Sequence, residues 1–304
     1  MRVFVTGATG FIGSAVVQEL LEAGHDVVGL ARSDAGATAL ADAGADVQRG
    51  SLEDLDSLRR GAAAADGVSH TAYIHDFSQM QNSAHTDRRA IETLGAALEG
   101  TGRPLVITAG TALVRPGQVL TEEDFADPAS GAHPRSENER LALALAARGV
   151  RSSSVRPGPS VHGEGDHGFV PVLIDIARRK GVSGYVGDGS NRWPAVHRFD
   201  AARLYRLVLE KAPAGSVFHA IADEGVPTRE IAEVIGRHLG VPTASIAPED
   251  AAEHFGWIGA FFGVDAPASS ALTQQRLGWH PTHPGLIADL EDGHYFHQAQ
   301  SVAA

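Results

Sequence analysis

Three glycines near the amino terminus have the spacing of a phosphate-binding turn. Gly7, Gly10 and Gly13 follow the apolar run 3–5 and overlap an apolar pattern of helical period over residues 12–21. In a dinucleotide site the first glycine permits a tight turn, the second lets the backbone approach a pyrophosphate, and the third lets the helix pack on the strand. The first amides of the helix would then face the phosphates. The predicted contacts come from Gly7, Ala8, Thr9, Gly10, Phe11, Ile12 and Gly13.

The end of the second predicted strand indicates which cofactor is bound. An acidic residue there would accept hydrogen bonds from the ribose of NAD, whereas an arginine accommodates the 2′-phosphate of NADP. The strand ends at Ala31, and Arg32 and Ser33 follow. We therefore expect NADP rather than NAD, with Arg32 as a forked phosphate ligand. Asp34 argues for the opposite preference, and Arg32 could also be a solvated surface residue.

Further cofactor contacts are expected where later strands end. The carboxyl ends of parallel strands line the cofactor crevice of such a sheet. The residues predicted to lie there are Ser51, Leu52, Thr71, Ala72, Thr108 and Pro157.

Hydride transfer also needs a proton source and a group that polarises the substrate. Thr111, after the fifth strand, is a candidate hydroxyl, and His133 and Tyr73 are candidate proton donors. His75 and Asp76 follow the fourth strand and could face the substrate. The alternative interpretations are a turn cap for Thr111, a surface loop for His133 and packing on the cofactor for Tyr73.

A polar turn later in the chain could line a substrate pocket. Trp193 and His197 are the predicted substrate contacts, with the guanidinium groups of Arg192 and Arg198 beside them. The alternative for Trp193 is that its indole anchors one lobe of the protein on the other.

Four residues invite a metal interpretation: His162, Glu164, Asp166 and His167. Their spacing in a glycine-rich loop matches no standard zinc pattern. The sequence therefore predicts no metal site.

The elements that must position these residues alternate between strand and helix. Short spacing between them predicts an α/β fold of Rossmann type, with a doubly wound parallel sheet. We expect residues 1–158 to form the dinucleotide-binding domain, with 196–222 returning to it. Residues 159–195 and 223–304 would form a smaller substrate-binding lobe, because the strand–helix alternation stops there.

Composition limits the classes of partner. The formal net charge of −12 and the isoelectric point near 5.6 argue against nucleic acid or an anionic membrane surface. The chain has no cysteine and no apolar run of membrane-spanning length. We expect a cytoplasmic protein that acts on a small molecule, and a homodimer is possible.

Three segments resemble a known family. Residues 6–13, residues 156–163 and the segment 196–202 are similar to the extended short-chain dehydrogenase/reductases, also called the NAD-dependent epimerase/dehydratase group. The third segment resembles the family's valine–histidine–x–x–aspartate pattern. The resemblance covers the chain to about residue 240.

The resemblance implies a catalytic Tyr-x-x-x-Lys pair, in which the lysine lowers the pKa of the tyrosine. No tyrosine in this chain is followed by lysine at that spacing. One alignment places His133 at the tyrosine and Glu137 at the lysine. Another alignment, anchored on Glu139, places Gly131 and Arg135 there. The first is preferred, and the chain is interpreted as an atypical member.

The function expected from the sequence is an NADP-dependent oxidoreductase that reduces a carbonyl or an activated double bond of a small molecule. One rival is a nonenzymatic NAD(P) sensor, which the missing pair favours. The other is an NAD-dependent epimerase or dehydratase, which the missing base disfavours.

Overall fold

The computed structural model describes residues 1–76, 79–111, 117–126 and 134–297, which contain twelve strands in two lobes. The strands are β1 (Arg2–Thr6), β2 (Asp26–Ala31), β3 (Asp46–Arg49), β4 (Gly67–His70), β5 (Pro104–Thr108), β6 (Arg151–Pro157), β7 (Ser160–His162), β8 (Ser183–Val186), β9 (Arg192–His197), β10 (Ser216–Ala220), β11 (Asp223–Pro227) and β12 (Thr243–Ile246).

Thirteen α-helices lie in the described ranges. They are α1 (Phe11–Glu22), α2 (Asp34–Asp42), α3 (Leu55–Ala63), α4 (Met80–Leu98), α5 (Pro134–Ala144), α6 (Phe169–Lys180), α7 (Arg198–Lys211), α8 (Thr228–Leu239), α9 (Ala251–Phe255), α10 (Gly259–Phe262), α11 (Ala271–Leu277), α12 (Leu286–Glu291) and α13 (His294–His297). None of these helices combines the length and apolar character that crossing a bilayer requires.

Seven strands form a parallel sheet in the order β10-β6-β5-β4-β1-β2-β3. This order confirms the predicted Rossmann-type fold class. The strand order reverses on either side of β1, and ligands of such sheets bind at the carboxyl ends of the strands beside that point. Thr6 at the end of β1 pairs with His70 at the end of β4, so both strands end at the same level.

Side-chain alternation along the strands divides the core of this sheet between its two faces. Val3 and Val5 of β1 belong to a cluster that includes α1 and α7, whereas Phe4 belongs to the cluster under α3, α4 and α5. All three side chains are fully buried. Apolar runs covered on both faces are typical of parallel strands.

The smaller lobe has a separate core. Strands β11, β9 and β7 form one small sheet, and β12 pairs with β8 in another. Apolar residues of α6, α8, α9, α10 and α12 pack together with Trp193 of β9. Helix α7 and strand β10 return to the large sheet, where α7 packs on α1. The exact lobe boundaries stay a prediction.

Candidate functional site

The glycine-rich turn packs tightly against the end of β4. Gly7 has a φ of +68°, and a Cβ there would lie 2.6 Å from the backbone nitrogen of Ala72. A Cβ at Gly13 would lie 1.9 Å from the Gly7 carbonyl oxygen and 2.8 Å from Thr71 Oγ1. The Thr71 hydroxyl itself donates to the carbonyl of Thr6 at 2.7 Å. Gly7 and Gly13 are therefore required by contacts within the protein.

Gly10 differs, because the space in front of it is open. A Cβ there would meet only the Gly7 carbonyl oxygen, at 3.2 Å. Gly10 is the N-cap of α1, no side chain caps the helix, and its first turn carries no acidic residue. The first-turn amides are thus available to an anion. Ala8 is buried below the turn and Thr9 is exposed beside it. The open space in front of Gly10 and the first turn of α1, here called the cradle, therefore fits the phosphates of a dinucleotide.

Two arginines lie near the turn after β2, Arg32 within it and Arg49 at the end of the adjacent strand β3. Arg32 is exposed and makes no hydrogen bond or ion pair with a described residue. Ser33 caps α2 by accepting a hydrogen bond from Gly36 N at 3.1 Å. Arg49, at the end of β3, donates to the Ser33 carbonyl and pairs with Asp34 at 2.8 Å. Sequence reasoning misses Arg49, whose guanidinium pairs with Asp34, the acid that argues for NAD.

The end of β3 leads into a turn built on Ser51. Its hydroxyl accepts hydrogen bonds from the backbone amides of Glu53 and Asp54, both at 3.3 Å. Leu52 packs against the core under α3 and α4. Both residues lie at the carboxyl edge of the sheet.

Tyr73 and Arg135 meet at the crevice, although they belong to different elements. Tyr73 follows β4, Arg135 lies in the first turn of α5, and the guanidinium carbon is 4.2 Å from the centre of the Tyr73 ring. Arg135 Nη2 also donates to the carbonyl of Thr108 at 3.2 Å. Partial burial raises the pKa of Tyr73, and the charge of Arg135 opposes that rise. The phenol is therefore protonated at neutral pH.

The predicted hydroxyls after β5 have different environments. Thr108 Oγ1 donates to the His70 carbonyl at 3.0 Å and is 2.7 Å from the Tyr205 hydroxyl, so it bonds within the sheet layer. Thr111 N donates to the carbonyl of Pro157 at 3.2 Å. Thr111 is 2% exposed, and its Oγ1 has no hydrogen-bond partner among the described residues. This hydroxyl is therefore a candidate hydrogen-bond donor to a substrate oxygen.

A buried ion pair favours the second alignment of the missing catalytic pair. Glu139 of α5 binds Arg156 of β6 through two contacts, Nε–Oε1 at 2.8 Å and Nη2–Oε2 at 2.7 Å. This anchor turns Arg135 towards the crevice, whereas Glu137 is exposed. The alignment that places Arg135 at the lysine position is therefore favoured over the one that places Glu137 there. His133 and Gly131 lie outside the described residues.

His75 and Asp76 continue the segment after Tyr73. The rings of His75 and Tyr73 are 5.3 Å apart between centroids. Burial lowers the pKa of His75, and the charges of Arg135 and His167 lower it further. His75 is therefore neutral at physiological pH and can accept or donate one proton at the mouth of the crevice.

A buried polar network that the sequence did not reveal fixes the end of β4. Asp87 of α4 accepts hydrogen bonds from His70 Nε2 at 3.1 Å and from Asn138 Nδ2 at 2.7 Å. This leaves His70 Nδ1 to accept from the Thr6 hydroxyl at 2.7 Å. The network joins β1, β4, α4 and α5 beneath the crevice, and so fixes the segment that carries Tyr73.

Trp193 is not a substrate contact. Its indole is 2% exposed and packs in the core of the smaller lobe, 5.1 Å from the Phe262 ring and 5.6 Å from the Phe169 ring between centroids. The prediction fails because β9 is buried on both faces, so its side chains do not alternate between core and solvent.

His197 is likewise a structural residue. Its Nδ1 accepts the Phe199 amide at 3.3 Å as the N-cap of α7, and its ring stacks on His283 at 4.6 Å. Burial lowers the pKa of His197 to about 4, with smaller contributions from His162 and His283. The ring is 8% exposed. The predicted substrate role of His197 is therefore corrected to a capping role.

The guanidinium groups of Arg192 and Arg198 lie in different parts of the protein. Arg192 binds Asp265 through Nε–Oδ1 at 3.0 Å and Nη2–Oδ2 at 2.9 Å, beside a cleft of about 450 Å³ that Asp188 also lines. Its charge is therefore used within the smaller lobe. Arg198 instead extends to α1, where it donates a hydrogen bond to Ser14.

Comparisons with known proteins agree with this geometry. The sequence profile described as "NAD dependent epimerase/dehydratase family" matches residues 3–221. The chain is 52% identical to "Uncharacterized protein C2A9.02" of Schizosaccharomyces pombe, over 97% of this chain and 100% of that protein. It is 46% identical to "Uncharacterized protein YLL056C" of Saccharomyces cerevisiae, over 95% and 98%.

More distant relatives have named activities. A "2-alkyl-3-oxoalkanoate reductase" of Stenotrophomonas maltophilia is 29% identical over 80% of this chain and 77% of its own. Among solved structures, a double mutant of DesIV, a dTDP-glucose 4,6-dehydratase of Streptomyces venezuelae with NAD bound, superposes with a TM-score of 0.78. That match covers 98% and 97% of the two chains at 20% identity, so it shows a shared fold.

Proposed function

Because the chain belongs to the NAD-dependent epimerase/dehydratase family, we propose that it is an NADP-dependent oxidoreductase that reduces a carbonyl or activated double bond of a small molecule. The observation that carries the proposal is the contact of Arg135 with Tyr73 at the carboxyl edge of the sheet. This contact provides a phenol and a fixed cation, the two kinds of group in the Tyr-x-x-x-Lys pair that this sequence lacks.

The residues of the crevice fit a dinucleotide. Gly10 leaves room for phosphate in front of the uncapped α1, and Thr71 and Ala72 close the adjacent side of the turn. NADPH, when bound, supplies a hydride equivalent. Arg32 and Arg49 support the choice of NADP, since both lie at the turn where the family distinguishes the two ribose forms.

Tyr73 is the proton donor in this proposal. Reduction of a carbonyl places negative charge on the substrate oxygen, and a protonated phenol can donate its proton to that oxygen. The charge of Arg135, 4.2 Å from the ring centre, would stabilise the phenolate that remains. Solvent then returns the proton to Tyr73, which completes the proton balance.

Thr111 is the polarising hydroxyl. Its Oγ1 has no partner among the described residues and is buried three residues after the end of β5. Donation from this hydroxyl to a substrate oxygen would satisfy the group and strengthen as charge develops on that oxygen.

Among relatives with named activities, the 2-alkyl-3-oxoalkanoate reductase supports carbonyl reduction. We therefore propose a ketone as the preferred substrate class. An epimerase has to remove a hydride from a sugar with the help of a strong base, and the raised pKa of Tyr73 makes its phenolate scarce at neutral pH.

The proposal is tested by titrating the purified protein with NADPH and NADH, followed by oxidation of NADPH in the presence of ketones, aldehydes, imines and conjugated enones. We expect tighter binding of NADPH and consumption with at least one class of acceptor. Binding without consumption by any acceptor would favour the sensor. Release of oxidised sugar or interconversion of sugar epimers with bound NAD would favour the epimerase.

A further inference from the structure

Arg198 begins α7 in the carboxyl-terminal half of the chain and extends over the first turn of α1. Its Nη2 donates to Ser14 Oγ at 3.0 Å, and its guanidinium carbon lies 4.6 Å from the centre of the Phe11 ring. Phe11 is the first residue of α1 and follows Gly10 directly. A cation from a distant part of the sequence thus lies at the glycine-rich turn.

The same side chain holds the loop between β7 and α6. Arg198 Nη1 donates to the Glu164 carbonyl at 3.0 Å. Gly163 and Gly165 have φ angles of +132° and +83°, and a Cβ at Gly163 would lie 3.3 Å from Arg198 Cδ. The loop can pass this close to the arginine because these positions carry no side chain. Arg198 therefore links three segments around the start of α1.

Among the described residues, the charge of Arg198 has no counterion. No carboxylate of a described residue lies within 4.0 Å of its guanidinium nitrogens, and its buried Nε donates to no described acceptor. The side chain is about half buried, and burial lowers its pKa, although Asp166 and Glu164 partly offset this effect. In contrast, the buried Arg156 binds Glu139 directly. A charge removed from water without a partner is costly, which indicates a missing anion.

We propose that Arg198 binds the pyrophosphate of the dinucleotide. This inference rests on the proposed cofactor binding and assigns a phosphate ligand outside the glycine-rich turn. The uncapped end of α1 provides a partial positive charge, and the guanidinium adds a full charge with forked donors. The residue occupies one of the two open positions in the valine–histidine–x–x–aspartate segment, so the family pattern does not specify it.

The test measures the affinity of Arg198→Met and Arg198→Gln for two cofactor fragments. One is 2′-phospho-ADP-ribose, which contains the pyrophosphate, and the other is adenosine 2′,5′-bisphosphate, which lacks it. Both variants should bind NADPH and 2′-phospho-ADP-ribose about tenfold to a hundredfold more weakly, the range for a charge-assisted contact. Affinity for the bisphosphate should not change, and NADPH binding should depend less on salt.

Arg203→Met is the matched control, because Arg203 lies on the same helix and, among the described residues, donates only to the His280 carbonyl, at 3.4 Å. It should bind all ligands as the wild type does. Equal losses for both fragments would assign Arg198 a purely structural role and overturn the inference, as would unchanged NADPH binding. Failure of the wild type to bind either dinucleotide would overturn the proposed function and this inference together. If Arg198→Met does not fold, the affinities of Arg198→Gln for the two fragments decide the test, because glutamine keeps an amide donor.

Discussion

The guanidinium of Arg135 lies over the ring of Tyr73, with 4.2 Å between the guanidinium carbon and the ring centre. Tyr73 follows β4 and Arg135 begins α5, and the adjacency of β4, β5 and β6 brings the two segments together. In the proposed function this arrangement supplies a phenol and a cation from two elements of the fold, in place of a Tyr-x-x-x-Lys pair on one helix.

Tyr73→Phe should abolish most turnover with little effect on cofactor binding. Loss of a positioned general acid lowers kcat by roughly 100-fold to 10,000-fold. Arg135→Met should also lower kcat, since the phenolate then forms without a nearby cation. Steady-state kinetics and NADPH titration of each variant provide the measurements.

Tyr185→Phe is the matched control, because Tyr185 also lies under an arginine, with Arg229 at 5.4 Å, but outside the crevice. Its kcat should equal that of the wild type. A Tyr73→Phe variant with wild-type kcat would remove Tyr73 from the mechanism.

Arg32 and Arg49 should set the preference for NADPH over NADH. Arg32→Met should weaken NADPH binding about tenfold to a hundredfold and leave NADH binding unchanged, because only NADPH has the 2′-phosphate. Arg49→Met should have the same direction of effect, since it frees the Asp34 carboxylate to repel that phosphate. Fluorescence titrations measure both cofactors. Arg59→Met, at an exposed position on α3, is the control. Equal losses for NADH and NADPH would contradict this account.

Two glycines of the turn should respond differently to alanine. Gly13→Ala should lower the free energy of unfolding by at least about 2 kcal/mol, because its Cβ would lie 1.9 Å from the Gly7 carbonyl oxygen. Gly10→Ala should cost less than about 1 kcal/mol, since Gly10 is an extended N-cap with open space before it. It should nevertheless weaken NADPH binding, because the methyl group enters the cradle. Urea unfolding and NADPH titration separate the two effects, and wild-type NADPH affinity in Gly10→Ala would place the phosphates elsewhere.

His197 should make the fold less stable in acid. Its pKa is about 4 in the folded protein, below the ordinary value of 6.5, so the unfolded chain binds the extra proton between these values. This contribution to stability is complete above pH 6.5 and is lost as the pH falls towards 4. With allowance for solvent screening it amounts to about 1–2 kcal/mol.

His197→Asn keeps a capping side chain and removes the titration. From pH 7 to pH 4, the free energy of unfolding should therefore fall less in this variant than in the wild type. The exposed His85→Asn is the control. Equal falls in His197→Asn and the wild type would show that His197 is not the group responsible.

Local patterns predicted the fold and the cofactor turn. Gly7, Gly10 and Gly13 are close in sequence, and the alternation of strands and helices specifies a parallel sheet. The expectation that Trp193 contacts substrate fails because a strand buried on both faces has no polar alternation to mark its inner side.

The remaining site depends on distant contacts that local patterns do not contain. The register of α5 is fixed by the partner of Glu139, which lies on another strand, and this contact decides that Arg135 enters the crevice. Arg49 and Arg198 are ordinary surface arginines by spacing alone. The roles proposed for them rest on contacts with Asp34 and Ser14, to which the tertiary fold brings them.

In the proposed reaction the chain transfers hydride from NADPH to a small carbonyl or enone, and Tyr73 donates the proton. The most direct measurement supplies NADPH deuterated at nicotinamide C4, on either face, together with an acceptor panel, and follows the mass of the products. We expect one deuterium on the reduced carbon of a product that the wild type and Tyr185→Phe form and that Tyr73→Phe forms in strongly reduced amount. Tight NADPH binding with no deuterium transferred to any acceptor would contradict the proposed reaction.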